Sequence, residues 1–182
     1  SLVGLLLGQS STAKNVLLDS IMNAVTAIPP VAYLIIFIGI WGNSIPTMMV
    51  SLTASLILRM VKLVKTRTEM EMGKAYIMCA VSSGASRFRI LFGHVLPNIG
   101  KEIVRFLCLS CAEMIMAISG FSFIGLTLGD DVIDWGSMLS SARSYLGMAP
   151  MLLFYPILFI FLSTLSFNIL GKKLEKEDRA DA

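Results

Sequence analysis

The sequence predicts an all-α integral membrane protein, a multi-span helical bundle, and three observations carry that prediction. The first is composition: 55 % of the 182 residues are hydrophobic and the mean hydropathy is +0.78. The second is charge, at 15 % of residues where a soluble domain carries about a quarter. The third is clustering, since residues 20–58 and 144–171 contain no Asp, Glu, Lys or Arg. The second of these runs, SYLGMAPMLLFYPILFIFLSTLSFNILG, exceeds the roughly 20 residues that a helix needs to cross a bilayer. A buried helix of a large soluble protein could be as apolar, but a chain of this length cannot enclose several of them.

Taken in order, the chain opens with SLVGLLLG, apolar and without a basic n-region. It reads as the tail of a span whose beginning is absent, not as a signal peptide. A span follows from about Val16 to Ile40, with Pro29-Pro30 near its middle. Proline removes a backbone donor and clashes with the preceding turn, so a kink or local unwinding is expected there. WGNSIP (41–46) is a turn with Trp41 at interface depth. The next span runs from about Pro46 to Lys65, and Arg59 and Lys62 near its end have stems long enough to snorkel to the headgroups. Two further spans cover about Ile103 to Ile124 and Met148 to Leu170.

Orientation follows from the basic residues. From Arg59 to Arg105 there are nine Lys or Arg against three Glu, whereas the connection 125–147 has three Asp and one Arg. Lys14 and the pair Lys172-Lys173 fall on the same side as the basic block. The positive-inside rule then places 66–98 and both ends of the chain in the cytoplasm, with 41–45 and 125–147 outside. The domain reading is a membrane domain over 1–171, with a loop at 66–98 and an external cap at 125–147, followed by a cytoplasmic tail at 172–182.

The loop KTRTEMEMGKAYIMCAVSSGASRFRILFGHVLPN interrupts this oily sequence. From Tyr76, apolar or small residues recur at 76, 77, 80, 81 and 84, roughly helical spacing. After Gly84 a second short run puts Phe88, Leu91 and Phe92 on one face beside Arg87. By composition it is equally an interfacial amphipathic element or a peg for a soluble partner.

The stretch Tyr76-Ile77-Met78-Cys79-Ala80, Gly84-Ala85-Ser86 and His94-Val95-Leu96-Pro97-Asn98 resembles, without a gap, the cytoplasmic loop of permease subunits of ABC importers in the dipeptide/oligopeptide/nickel group. GFSFIGLTLG (120–129), DWGSML (134–139), ARSYL (142–146) and FNILG (167–171) extend the likeness over nearly the whole chain. The resemblance implies the ABC importer permease fold, with a coupling helix that docks in a groove of a cytoplasmic ATPase, and with N-terminal span sequence absent from this chain. It implies as partners a second homologous permease, one or two ATPase subunits that bind ATP and Mg, an external solute-binding protein and membrane lipid. It implies a multi-pass protein of a bacterial or archaeal inner membrane. On this reading the coupling residues are Tyr76, Ala80, Gly84, Ala85, Ser86, Arg87, Arg89 and Pro97. Gly84 permits a tight turn, Ala80, Ala85 and Ser86 keep the docking face shallow, the two arginines reach partner groups, and Pro97 starts the next helix. Two departures stand out. Met78 and Cys79 replace the family's Glu and first Ala, leaving Glu69, Glu71 or Lys74 upstream as substitutes. Ile118-Ser119-Gly120 looks more like nickel-importing than peptide-importing members, so nickel or a metal chelate is preferred over peptides as cargo.

The remaining candidates have plainer readings. His94 is expected to make a structural hydrogen bond against a neighbouring helix in preference to binding metal. The twelve methionines are core packing, and CLSC (108–111) is small-residue packing without zinc partners. Glu113, mid-span, should face the bundle interior or a partner subunit, because exposing it to lipid is costly. With Ser119 and Gly120 it is the candidate for the translocation path. No P-loop is visible, so the chain has no means of binding ATP by that motif. No catalytic, cofactor or metal residue is assigned. A membrane enzyme, the rival reading, needs convergent polar groups, and Glu113, His94 and Asp134 fall at different depths. Basic residues near one face explain the net charge of +3 without nucleic acid.

Overall fold

The computed structural model describes residues 2–9, 16–126 and 132–180, with side chains over 2–7, 19–126 and 132–174. Regular structure among them is helical throughout: α1 (Leu2–Gln9), α2 (Val16–Ala27), α3 (Pro30–Trp41), α4 (Ile45–Met72), α5 (Ala75–Ser82) and α6 (Arg87–Ile90). A π-turn (Leu91–Val95) leads into α7 (Leu96–Phe123), followed by α8 (Trp135–Ala142), a 3₁₀ turn (Arg143–Tyr145) and α9 (Met151–Ala180). Among the described residues, three continuous helices are long and apolar enough to cross a membrane: Ile45–Met72, Arg87–Phe123 and Met151–Leu174. The pair α2 and α3 adds a fourth if it is one broken span. Helices satisfy their own backbone groups, which is what a lipid environment demands.

Several boundaries depart from the sequence reading, each for a local reason. The expected kink in the first span is a full break, with Pro29 extended (φ −65°, ψ 149°) and Pro30 in the first turn of α3. The helix α4 does not stop near Lys65 but continues seven residues to Met72, so the first part of 66–98 is helical. Its final turns are held by ion pairs: the Lys65 ammonium meets Asp19 and Glu69, and Arg67 donates to Glu102 at 2.5 Å. Pro97 lies in the first turn of α7, yet the helical run continues unbroken from Arg87 to Phe123. The π-turn resolves the conflict. Leu96 N–H bonds Leu91 C=O five residues back, so the ladder has already shifted where proline supplies no donor. The tail 172–182 starts as a continuation of α9, which carries Pro156 within it. Of the expected cap 125–147, residues 127–131 lie outside the described residues, and the rest contains α8. Neither Arg59 nor Lys62 simply snorkels. Lys62 donates to Thr26 Oγ1 at 3.0 Å, and the Arg59 guanidinium lies 5.9 Å from the centre of the Phe106 ring.

The chain divides into two compact units. The first comprises Ser1–Ile28, Leu56–Phe106 and Leu174–Ala182. Its core joins Leu5 of α1, Val64 of α4, Ile77 of α5 and the run Ile90, Leu91, Val95 and Ile99. The loop is therefore packed from within, not laid loosely on the surface. The second unit comprises Pro29–Ser55 and Leu107–Lys173, around Leu34, Met48, Leu52 and Phe121. There α8 is pinned against α7. Asp134 caps it by accepting from Gly136 N–H (2.7 Å) and Ser137 N–H (3.1 Å), and Ser137 Oγ accepts from Asp134 N–H in return. The Trp135 ring stacks on Phe159 at 6.1 Å.

Gly136 lets α8 approach that closely. A Cβ built on it would lie 2.1 Å from the Ser119 carbonyl oxygen, a backbone atom that cannot swing aside. Gly136→Ala is expected to destabilise the protein by about 1–3 kcal/mol through overpacking. Gly120→Ala, whose Cβ would meet nothing within 4 Å, should change it by less than about 0.5 kcal/mol. Apparent melting temperatures of the two variants in detergent check this, and equal shifts would contradict it.

Candidate functional site

The loop between α4 and α7 begins where α4 ends, and a single carboxylate governs that junction. Glu71 sits in the last turn of α4, 6 % exposed, where the helix dipole disfavours a negative charge. Local donors offset the dipole. Glu71 Oε1 accepts from the Tyr76 hydroxyl and from Asn98 Nδ2 (3.2 Å), and its Oε2 meets Lys74 Nζ at 2.8 Å. Asn98 Nδ2 also donates to Tyr76 Oη at 2.7 Å, closing a triangle. Tyr76 lies at the start of the loop and Asn98 just past its end, so one side chain ties both ends to α4. Burial and the bond to Glu71, set against the bond from Asn98, raise the Tyr76 hydroxyl above its usual pKa of 10.0. It therefore remains a donor at neutral pH. A cavity of about 560 Å³ opens beside the triangle, bounded by Arg67, Lys74, Pro97, Lys101 and Glu102.

Glu71 thus takes up the intraloop bonding that Met78 cannot provide, whereas Glu69 is engaged with Lys65. Spacing concealed this, because Glu71 looks upstream of the motif until α4 is seen to run to Met72. His94 makes an aromatic contact instead of the expected hydrogen bond, its ring 6.2 Å from that of Tyr76.

Beyond the junction, α5 buries Ile77 and turns outward at Gly84, whose φ of +80° is a conformation that favours glycine. Ser86 caps α6, its Oγ accepting from Arg89 N–H at 3.3 Å. Ala80 and Ala85 are half-buried, and Ala85 packs against the core. The exposed face is instead made by Gly84, Ser86, Arg87 and Arg89 together with large apolar groups: Met78, Val81, Phe92 and, at 74 % exposure, Phe88. The Phe88 and Phe92 rings stack at 6.2 Å, as an i, i+4 pair should. Met78, a departure from the motif, and Val81, a position of the helical stripe, both stand on this exposed face.

The candidates for the translocation path lie on α7, where Glu113 and Gly120, seven residues apart, are both exposed. Ser119 is buried and its carbonyl faces Gly136 of α8. Among the described residues no group of three or more His, Cys, Asp or Glu gathers in a way that could hold a metal ion.

Residues 1–176 match the family described as "Binding-protein-dependent transport system inner membrane component". Similar proteins include the glutathione transport system permease protein GsiD of Pectobacterium atrosepticum, 32 % identical over 94 % of this chain and 57 % of that protein. The GsiD proteins of Salmonella typhimurium and Shigella dysenteriae are 32 % and 30 % identical over 85 % and 87 % of this chain. The chain spans about half the length of these relatives, 51 % and 52 % for the latter two. The chain belongs to this family of inner-membrane transport components.

If Glu71 anchors the loop, Glu71→Gln and Tyr76→Phe should each weaken the anchor by about 1.5–3 kcal/mol, the range for hydrogen bonds to charged groups. Amide hydrogens of Ala75–Ser82 should then exchange at least roughly ten-fold faster in either variant, with little further change in the double variant. Exchange followed by mass spectrometry checks this, and fully additive effects would contradict a shared bond.

Proposed function

We propose that this member of the family is part of the membrane-spanning permease of an ATP-driven importer, and that residues 75–95 couple it to a separate ATPase subunit. The observation that carries the coupling reading is the exposed apolar face of Met78, Val81, Phe88 and Phe92. It stands on a short helical loop whose two ends are bonded to one residue of a long apolar helix. Exposed aromatic and methionine side chains flanked by Arg87 and Arg89 suit a protein groove with a polar rim. Gly84 lies between the two runs with open space around it, so partner backbone can approach closely. Tyr76 and Pro97 belong to the supporting side of the loop, and Ala80 and Ala85 to its packing.

The partners on this reading are a second permease, one or two ATPases holding ATP and Mg, and a solute-binding protein on the side of α8. The surplus of Lys and Arg at 59–105 supports placing this loop and both ends of the chain in the cytoplasm. Nothing in this account requires the chain itself to catalyse a reaction.

For the cargo, a peptide-type solute is better supported than nickel. The three relatives named above are all glutathione permeases by name. The preference for nickel rests on Ile118-Ser119-Gly120, an apolar residue followed by a small residue and glycine. Ser119 has another reason to be small, since α8 comes within backbone contact of it. Glu113 and Gly120, on one exposed face of α7, are candidates for a surface shared with the second permease or with the path.

The test is uptake by the complete importer, reconstituted with its binding protein in vesicles. ATP-dependent, saturable uptake of glutathione or a dipeptide without uptake of nickel is the expected result. Gly84→Asp, which adds strain and a charge to the docking face, should abolish both uptake and co-purification of the ATPase. Uptake of nickel alone would overturn the cargo, and retention of the ATPase by Gly84→Asp would remove Gly84 from the docking surface.

A further inference from the structure

We propose that the π-turn Leu91–Val95 is a two-position switch: on passing to an α-turn it carries α6 round by one residue and exchanges Phe88 for Arg89 at the tip of the exposed face. The switch itself rests on backbone geometry and core packing, and only its use in coupling rests on the function proposed above. A π-turn holds one residue more than an α-turn, and single turns of this kind within α-helices are frequent at functional sites. Here Leu96 N–H bonds Leu91 C=O. In an α ladder the same N–H would bond Phe92 C=O, so Phe92 would take the place that Leu91 holds now. Every residue upstream would follow by one place, about 100° round the axis and about 1.5 Å along it. Leu91 would move to the place of Ile90, Ile90 to that of Arg89, and Arg89 to that of Phe88.

The sequence can fill the core in either position. Ile90 and Leu91 are each 3 % exposed, whereas Phe92 is 43 % exposed. Three consecutive apolar residues, Ile90-Leu91-Phe92, thus serve two buried places. In the π position Phe92 is left outside. In the α position Ile90 would be, and Leu91 stays inside in both. The surface changes far more than the core, because a cation replaces the most exposed aromatic group of the face. The ends are suited to this movement. Val95 is fully buried, and Asn98 is bonded to Glu71 and Tyr76, so the downstream side is held. Upstream, Gly84 at φ +80° has open space around it, and the chain there can take up the displacement. Pro97 sets the resting position. It has no N–H to offer Gly93 C=O, and in an α ladder its ring would press on that carbonyl, so it favours the π position. A partner that contacts the two surfaces unequally would shift the balance.

Two readouts on the complete importer separate the switch from its use. The first is labelling of Ile90→Cys by a small soluble thiol reagent, with Cys79, Cys108 and Cys111 replaced by Ala. Deletion of Gly93 removes the extra residue and leaves only the α position, and Pro97→Ala removes the bias against it. Either should speed labelling at least roughly ten-fold, since each brings residue 90 out of the core. Pro97→Ala keeps the chain length, so it decides the matter if the deletion fails to assemble. The second readout places a photoreactive benzophenone amino acid at 88 or at 89 and measures cross-linking to the ATPase. On binding a non-hydrolysable ATP analogue the ratio of cross-linking at 88 to that at 89 should fall at least roughly five-fold, the lower end of an allosteric coupling. Labelling as slow in these variants as with the unaltered turn would overturn the switch. Faster labelling with an unchanged cross-linking ratio, or with no cross-links at all, would uphold the switch and overturn its use in coupling.

Discussion

Glu71 accepting from Tyr76 and Asn98 at the end of α4 is the interaction on which the rest of the first unit depends. A carboxylate at a helix C-terminus, 6 % exposed, is unfavourable by both dipole and desolvation unless several donors converge on it. Here three do: a hydroxyl, an amide and the Lys74 ammonium. Because they come from both sides of the loop, satisfying the carboxylate also closes the loop onto its helix. The apolar core, from Val64 through Ile77 to Leu91 and Val95, packs the same unit from within. Removing one donor should therefore loosen both ends together, since networks of this kind are cooperative.

That arrangement suits the loop to the coupling role proposed for it. It is continuous on one side with α4, to Met72, and on the other with a helix running from Arg87 to Phe123. The only backbone freedom between them that needs glycine is at Gly84, away from the bonded triangle. A force applied to Phe88 would thus be delivered to two membrane-length helices without being absorbed by a flexible linker. The π-turn at Leu91–Val95 is the place where such a helix could change register, because its hydrogen bonds already depart from the α pattern.

The fold class was legible in the sequence because lipid imposes a coarse rule: long uncharged runs become helices, and their number and order follow from counting. Element ends were less legible. Arg59, Lys62 and Lys65 look like the end of a span, yet Lys65 pairs with Asp19 and Lys62 with Thr26, contacts far apart in sequence. Pro97 looks like a helix start, and only the backbone geometry reveals the π-turn that lets a helix pass through it. In the loop, the family resemblance draws attention to Tyr76, Gly84, Arg87 and Arg89, while the bonding of Glu71 required knowing that α4 reaches it. The inward packing of Ala85 was likewise hidden, since a small residue on a short helix suits either face. For the cargo, Ile118-Ser119-Gly120 can be read in more than one way, because close helix packing also asks for a small residue at Ser119. The approach of Gly136 to Ser119 joins segments separated in sequence.

On the proposed coupling, the loop transmits motion only while Glu71 holds it to α4. The measurement that tests it most directly is the ratio of solute transported to ATP hydrolysed by the complete reconstituted importer bearing Glu71→Gln. The assembled variant is expected to bind the ATPase and hydrolyse ATP still, while the ratio falls about ten-fold or more, in line with the loss of a bond to a charged group. A ratio equal to that of the unaltered protein, with hydrolysis intact, would contradict it.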